Sequence, residues 1–159
     1  MQPRFESLTE KKLVGFSTIM SFSGNKTGLL WRSFMPKRKE ITTVNAFLYS
    51  VEVYPPRFFE AFDMQREFEK WAAVEVADFT MVPEGMQQLV IPGGLYVVFI
   101  HKGPANEGFK TYNYIFETWI PSSGFGLDQR PHFALMGAKY KNEDPDSEEE
   151  IWIPVKRRN

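Results

Sequence analysis

The feature that most constrains the fold is an order of elements that occurs twice. Lys12–Phe22 alternates as a strand, with Val14, Phe16, Thr18 and Met20 on one face, and Ser23-Gly24-Asn25 breaks it. Asn25 or Thr27 can cap a helix in which Leu29, Leu30, Trp31, Phe34 and Met35 recur at helical spacing. Two strands follow, Phe47–Tyr54, stopped by Pro55-Pro56, and Trp71–Val76; Phe58–Phe68 reads equally as a short helical turn or a loop. After the Pro83-Glu84-Gly85 turn the order returns. Met86–Ile91 and Leu95–His101 are strands around Pro92-Gly93-Gly94. A helix over about Glu107–Trp119 carries Phe109, Tyr112, Ile115, Phe116 and Trp119 on helical spacing, and Pro121 and Gly124 stop it. The strands Pro131–Met136 and Ile151–Lys156 complete the set. Each half, about 12–80 and 86–156, thus reads strand, helix, strand, strand, within one domain of 159 residues.

Composition narrows the function classes. A net charge of −1 and a sequence pI near 6.2 give no general attraction to nucleic acid or membranes. The basic cluster Lys37-Arg38-Lys39 is too small for a nucleic-acid surface and reads as a solvated helix end. The longest apolar stretch, Leu95–Ile100, is far too short to span a bilayer. Absence of cysteine removes disulfides, thiolate chemistry and cysteine metal sites, and fits a cytoplasmic protein. Aromatic residues make up 16% of the chain, enough for some to line a pocket. No spacing of His101, His132 and acidic residues makes a metal site, and both histidines read as structural. No nucleophile elbow or phosphate loop is present, and no cofactor is implied.

The terminal strand concentrates the chemistry. Ile151, Ile153 and Val155 share one face; Glu150, Trp152 and Pro154 share the other. A carboxylate beside an indole suits a flat cationic or polarised ligand.

The ordered series Leu30-Trp31-Arg32-Ser33-Phe34-Met35-Pro36, Lys70–Val76, Pro83-Glu84-Gly85-Met86, Ile91–Tyr96, Tyr114–Gly124, Arg130-Pro131-His132-Phe133 and Glu150–Val155 resembles the GyrI-like, or AraC-type effector-binding, domain family. The resemblance covers about Leu13 to Lys156. It implies an α+β fold of two strand-helix-strand-strand units related by a pseudo-two-fold axis, with a curved antiparallel sheet and two helices packed on it. It also implies a cleft at the junction that binds aromatic, often cationic, small molecules against a buried glutamate.

On that resemblance Glu150 matches the acid near the last strand, Trp152 shares its face, and Tyr96 and Trp119 match usually aromatic positions. Trp71, Glu117 and Tyr54 complete the candidate site. Ala134 and Met136 depart from the family's pattern, in which an acid and an aromatic are frequent after the Pro-x-Phe motif. With the first strand so near the start, the sequence given leaves no room for a helix-turn-helix. The leading expectation is a sensing or sequestering protein for small aromatic ligands. The second is a hydrolase of reactive cyclopropane-bearing xenobiotics with Glu150 as general acid or base. The third is a protein-interaction factor of the gyrase-inhibitor kind.

Overall fold

A computed structural model describes residues 2–158. In chain order the elements are β1 (Arg4–Leu8), β2 (Lys11–Met20), α1 (Thr27–Phe34, extended by a 3₁₀ segment Met35–Glu40), β3 (Leu48–Val53), β4 (Phe68–Val76), β5 (Gln87–Ile91), β6 (Gly94–Lys102), α2 (Gly108–Tyr114), β7 (Phe125–Leu127), β8 (His132–Met136) and β9 (Glu148–Arg157). Helix α2 runs on through a π-helical turn, Ile115–Trp119, and a last turn, Ile120–Ser122.

The strands form one antiparallel sheet in the order β1-β6-β9-β8-β3-β4-β2-β5, with β7 paired to β9. The order is symmetric about the central β3–β8 pair. Strand β4 is the counterpart of β9, and β2 of β6. The register carries the symmetry down to residues: Val51 pairs with Phe133, Trp71 with Val51, and Trp152 with Phe133. Trp71 and Trp152 therefore occupy equivalent positions. Each indole Nε1–H donates to the glutamate two residues earlier, Glu69 and Glu150 respectively.

Strand alternation sends the odd residues of β4 and the even residues of β9 to the inner face of the curled sheet. There Leu13, Tyr49, Trp71, Ile91, Tyr96, Phe133 and Trp152 are buried together. The opposite face carries the helices. Leu30 and Phe34 of α1 pack on Val14, Ala72 and Val74. Ile115 and Ile120 pack on Val97, Phe99, Ile151 and Ile153. Because α1 sits over β2 and β4 and α2 over β6 and β9, the central strands β3 and β8 lie beneath the gap between the helices.

Two strands were not expected from the sequence. In β1 only Leu8 and Glu6 are partly covered, so its alternation is faint even though every residue pairs with β6. Strand β7 is three residues long. Phe68 begins β4, and residues 54–67 form turns between β3 and β4. At the start of α1, Asn25 Oδ1 accepts the Thr27 N–H at 2.9 Å, so Asn25 supplies the side-chain acceptor there. Among the described residues no helix is long and apolar enough to cross a membrane.

Candidate functional site

The sequence-derived candidates divide between the two faces of the sheet. Glu150, Trp152, Trp71 and Tyr96 share the inner face, as alternation requires. Trp71 and Tyr96 are buried core residues. The Tyr96 hydroxyl donates to the Pro131 carbonyl at 2.8 Å, and its ring lies under the Arg130 guanidinium. Trp152 stacks on Phe133 at 5.2 Å. The Glu150 side chain is 30% exposed, and both of its oxygens are engaged. Oε1 accepts the Trp152 indole N–H at 3.0 Å, and Oε2 accepts from Arg4 Nη2 at 3.0 Å. The Arg4 guanidinium also lies 5.8 Å from the Trp152 ring centre, so an internal cation already occupies this corner. Beside it a depression of about 290 Å³ is lined by Phe47, Ile100, Leu135 and Glu148–Glu150 among others.

The remaining candidates lie on the helix side. Glu117 is exposed. Trp119 packs against Phe5, Phe99 and Phe125 at the outer flank of α2. Tyr54 stands at the mouth of the gap between the helices, and that gap holds the strongest concentration of buried polar chemistry.

Its floor comes from register. Lys70 pairs with Glu52 across β4–β3, and Glu52 with His132 across β3–β8, so the three form one row under the gap. All three are buried, and Lys70 Nζ donates to Glu52 Oε2. The next row is made of the small residues Ala72, Ser50 and Ala134. The wall is Tyr112 of α2 and Phe116 of the π turn, which stack on each other. A π turn inserts an extra residue per turn and re-aims the side chains that follow it.

The roof is the 54–67 segment, where Tyr54, Phe58 and Phe59 pack on one another. Phe59 lies flat against Phe116, with ring centres 4.8 Å apart and 14° between planes, and against His132 at 5.8 Å. Tyr54 meets His132 edge-on at 4.9 Å.

Burial dominates the electrostatics of this groove. Burial raises the Glu52 carboxyl above its usual range even though Lys70 is bonded to it and opposes the shift. Burial likewise raises Glu149, against the pull of His101 and Lys70 and with a smaller push from Glu52. Burial, reinforced by Glu52, drives the Tyr54 and Tyr112 hydroxyls far up. His132 is pushed down to about 3 by burial first and by Arg130 second, so it is a neutral ring at neutral pH. His101 is spoken for structurally. The Pro104 carbonyl, 2.9 Å away, can only accept, so Nε2 carries a hydrogen, and Nδ1 meets the Thr111 hydroxyl at 2.8 Å.

Sequence reasoning passed over Glu52, Lys70, Tyr112, Phe116, Phe59 and His132 as a site. The strand pattern carried no signal: Ser50 and Glu52 take the polar places of an ordinary alternation, which reads as a solvent-facing side.

The profile describing the GyrI-like small molecule binding domain matches residues 1–156. The chain belongs to that family. Among curated relatives, the transcriptional regulator BrlR of Pseudomonas aeruginosa is 27% identical over 146 residues, covering 90% of this chain and 51% of BrlR. The GyrI-like domain thus spans about half the length of that relative. Many solved structures share its fold, among them the following two. SAV2435, in a structure bound to tetraphenylphosphonium, superposes with a TM-score of 0.72 at 15% identity, covering 98% of this chain and 94% of that one. A hydrolase from Listeria innocua does so at 0.59 and 14%, covering 98% and 92%. The GyrI-like domain described here is therefore a small-molecule binding domain on the α+β fold that the resemblance implied, with duplicated units, a curved antiparallel sheet and two packed helices.

Proposed function

We propose that this GyrI-like domain senses or sequesters aromatic monocations, and that they bind in the groove between the helices. The observation that carries the reading is geometric. A buried carboxylate, Glu52, sits on the floor of an aromatic-walled groove at the junction of the two units, with a single ammonium, Lys70, bonded to it. A cation entering beside Glu52 and Glu149 favours their charged forms, which burial disfavours. The rings of Tyr54, Tyr112 and Phe116 offer electron-rich faces to the same ligand. Tetraphenylphosphonium, the ligand of the structural neighbour, combines one delocalised positive charge with flat aryl groups.

Two further features support this placement. Ala134, where the family often carries an acid, pairs with Ser50 and lies one step along the ladder from the Glu52–His132 pair. An acid at that position projects into the same groove, and Glu52 supplies the charge from the adjacent strand. By contrast, both Glu150 oxygens are engaged, so that carboxylate is poorly placed to direct a water in the hydrolytic reading.

The test is titration calorimetry with tetraphenylphosphonium and, as a neutral aromatic control, triphenylphosphine oxide. The cation should bind with a stoichiometry of one and at least about tenfold more tightly than the control, a difference of about 1.4 kcal/mol. Binding should also release protons, because an added cation lowers the raised Glu52 and Glu149 equilibria. Affinity should therefore rise with pH from the ordinary carboxylate range up to the raised values. Equal affinity for the neutral control, with no proton release, contradicts the reading.

A further inference from the structure

The roof of the groove is built unlike its floor. Phe58 is 2% exposed and anchored among Met20 and Phe68, whereas its neighbour Phe59 is only partly buried. The Phe59 ring occupies a seat made of flat contacts with Phe116 and His132 and edge contacts with Tyr54 and Phe58. That seat adjoins the ionic row, because His132 is the ladder partner of Glu52.

The 54–67 segment is joined to the rest of the fold by few polar contacts. Ser23 N–H donates to the Met64 carbonyl, and Gln129 Nε2 donates to the Tyr54 carbonyl. The segment holds its own shape through Arg66, which bonds the Arg57 and Phe58 carbonyls and lies over the Phe58 ring. Arg57, immediately before the two phenylalanines, has φ of 63°, a left-handed conformation that non-glycine residues rarely adopt. The chain therefore turns sharply at the point that sends Phe58 into the core and Phe59 into the groove.

We infer that Phe59 is a resident stand-in for the ligand: its ring holds the place of one aryl group and must swing out before an aromatic cation can seat. This rests on the groove being the binding site. It adds the chemical form of the ligand, a phenyl-sized ring carried next to the cationic centre, and it makes Phe59 the residue that sets affinity. Self-occupancy lowers apparent affinity by the fraction of time the seat is free. Removing the ring opens a space of phenyl size between Phe116, His132, Tyr54 and Phe58, and a space lined by aromatic rings takes up small apolar rings.

The experiment uses Phe59→Ala and Phe59→Leu with two probes, toluene and tetraphenylphosphonium. Phe59→Ala should melt below wild type and regain part of the loss in saturating toluene, while wild type gains nothing. Tetraphenylphosphonium should bind Phe59→Ala at least tenfold more tightly than wild type. Phe59→Leu, which keeps bulk but no ring, should bind it several-fold more tightly and covers the case in which the alanine variant fails to fold. No toluene rescue in Phe59→Ala, together with unchanged or weaker cation affinity in the folded variants, overturns the inference. The two readings fail separately. Cation binding that depends on Glu52 but ignores Phe59 removes the stand-in and leaves the site. Toluene rescue with cation affinity indifferent to Glu52→Gln leaves the seat and removes the charge reading.

Discussion

His132 shows how much a position in the fold changes a side chain. In water its imidazole titrates near 6.5; here burial against Phe59, Phe116 and Tyr54, with Arg130 nearby, holds it at about 3. Its folded value lies below its unfolded value, so between these limits the unfolded chain binds the proton more readily. Stability from this residue is complete above about pH 6.5 and is lost as pH falls toward 3, to a limit of roughly 5 kcal/mol. Glu52 and Glu149, raised by burial, act in the opposite sense and lose stability as pH rises above the ordinary carboxylate range. They are common to wild type and His132→Phe, so the comparison isolates the histidine. Urea unfolding at pH 7 and pH 4.5 should show wild type losing roughly 2–3 kcal/mol more than the variant. Parallel losses would show that His132 is not buried as a neutral ring. His132 was visible in the sequence only as a structural histidine, because its burial depends on a roof segment with no periodic signal.

At the scale of elements, the strands and helices that repeat were legible, because each carries the period of its type and most end near Gly, Pro or Asn. What was not legible follows from particular residues. Strand β1 lies at the sheet edge with an exposed Phe5, so its pattern is no clearer than that of a polar tail. The π turn leaves no mark in a helical pattern that already contains Phe116 and Trp119. The paired motifs Glu69-Lys70-Trp71 and Glu150-Ile151-Trp152 were present in the sequence and mark equivalent points of the two units, yet their equivalence becomes plain only through the register.

One glycine tests how closely the strands of the sheet approach. Gly15 lies in β2 between β4 and β5, and a Cβ there would meet the Ala72 carbonyl oxygen at 2.0 Å, a clash with backbone that cannot relax locally. Gly15→Ala should cost more than about 2 kcal/mol in denaturant unfolding. A cost within about 0.5 kcal/mol, the range of an ordinary surface change, would mean that the β2–β4 approach is looser than described.

At the scale of the whole molecule, duplication places two helices on the flanks of one sheet and leaves its central strands to be covered by a loop. That arrangement creates the groove and allows an ionisable row at the centre of the fold. The inner face, where Glu150, Trp152, Trp71 and Tyr96 meet, is mostly filled by its own side chains and by Arg4. The helix-side groove is filled by Phe59, which belongs to a segment with few polar contacts outside itself. On the proposed function, an aromatic cation is held in that groove against Glu52.

The most direct test is calorimetric titration of tetraphenylphosphonium into wild type, Glu52→Gln and Glu150→Gln, each shown to be folded by circular dichroism at the titration temperature. Glu52→Gln should weaken binding by about 1–3 kcal/mol, the scale of removing one charged partner from a desolvated site, while Glu150→Gln should leave it nearly unchanged. Weaker binding to Glu150→Gln, with Glu52→Gln unaffected, would contradict the claim and return the ligand to the terminal strand.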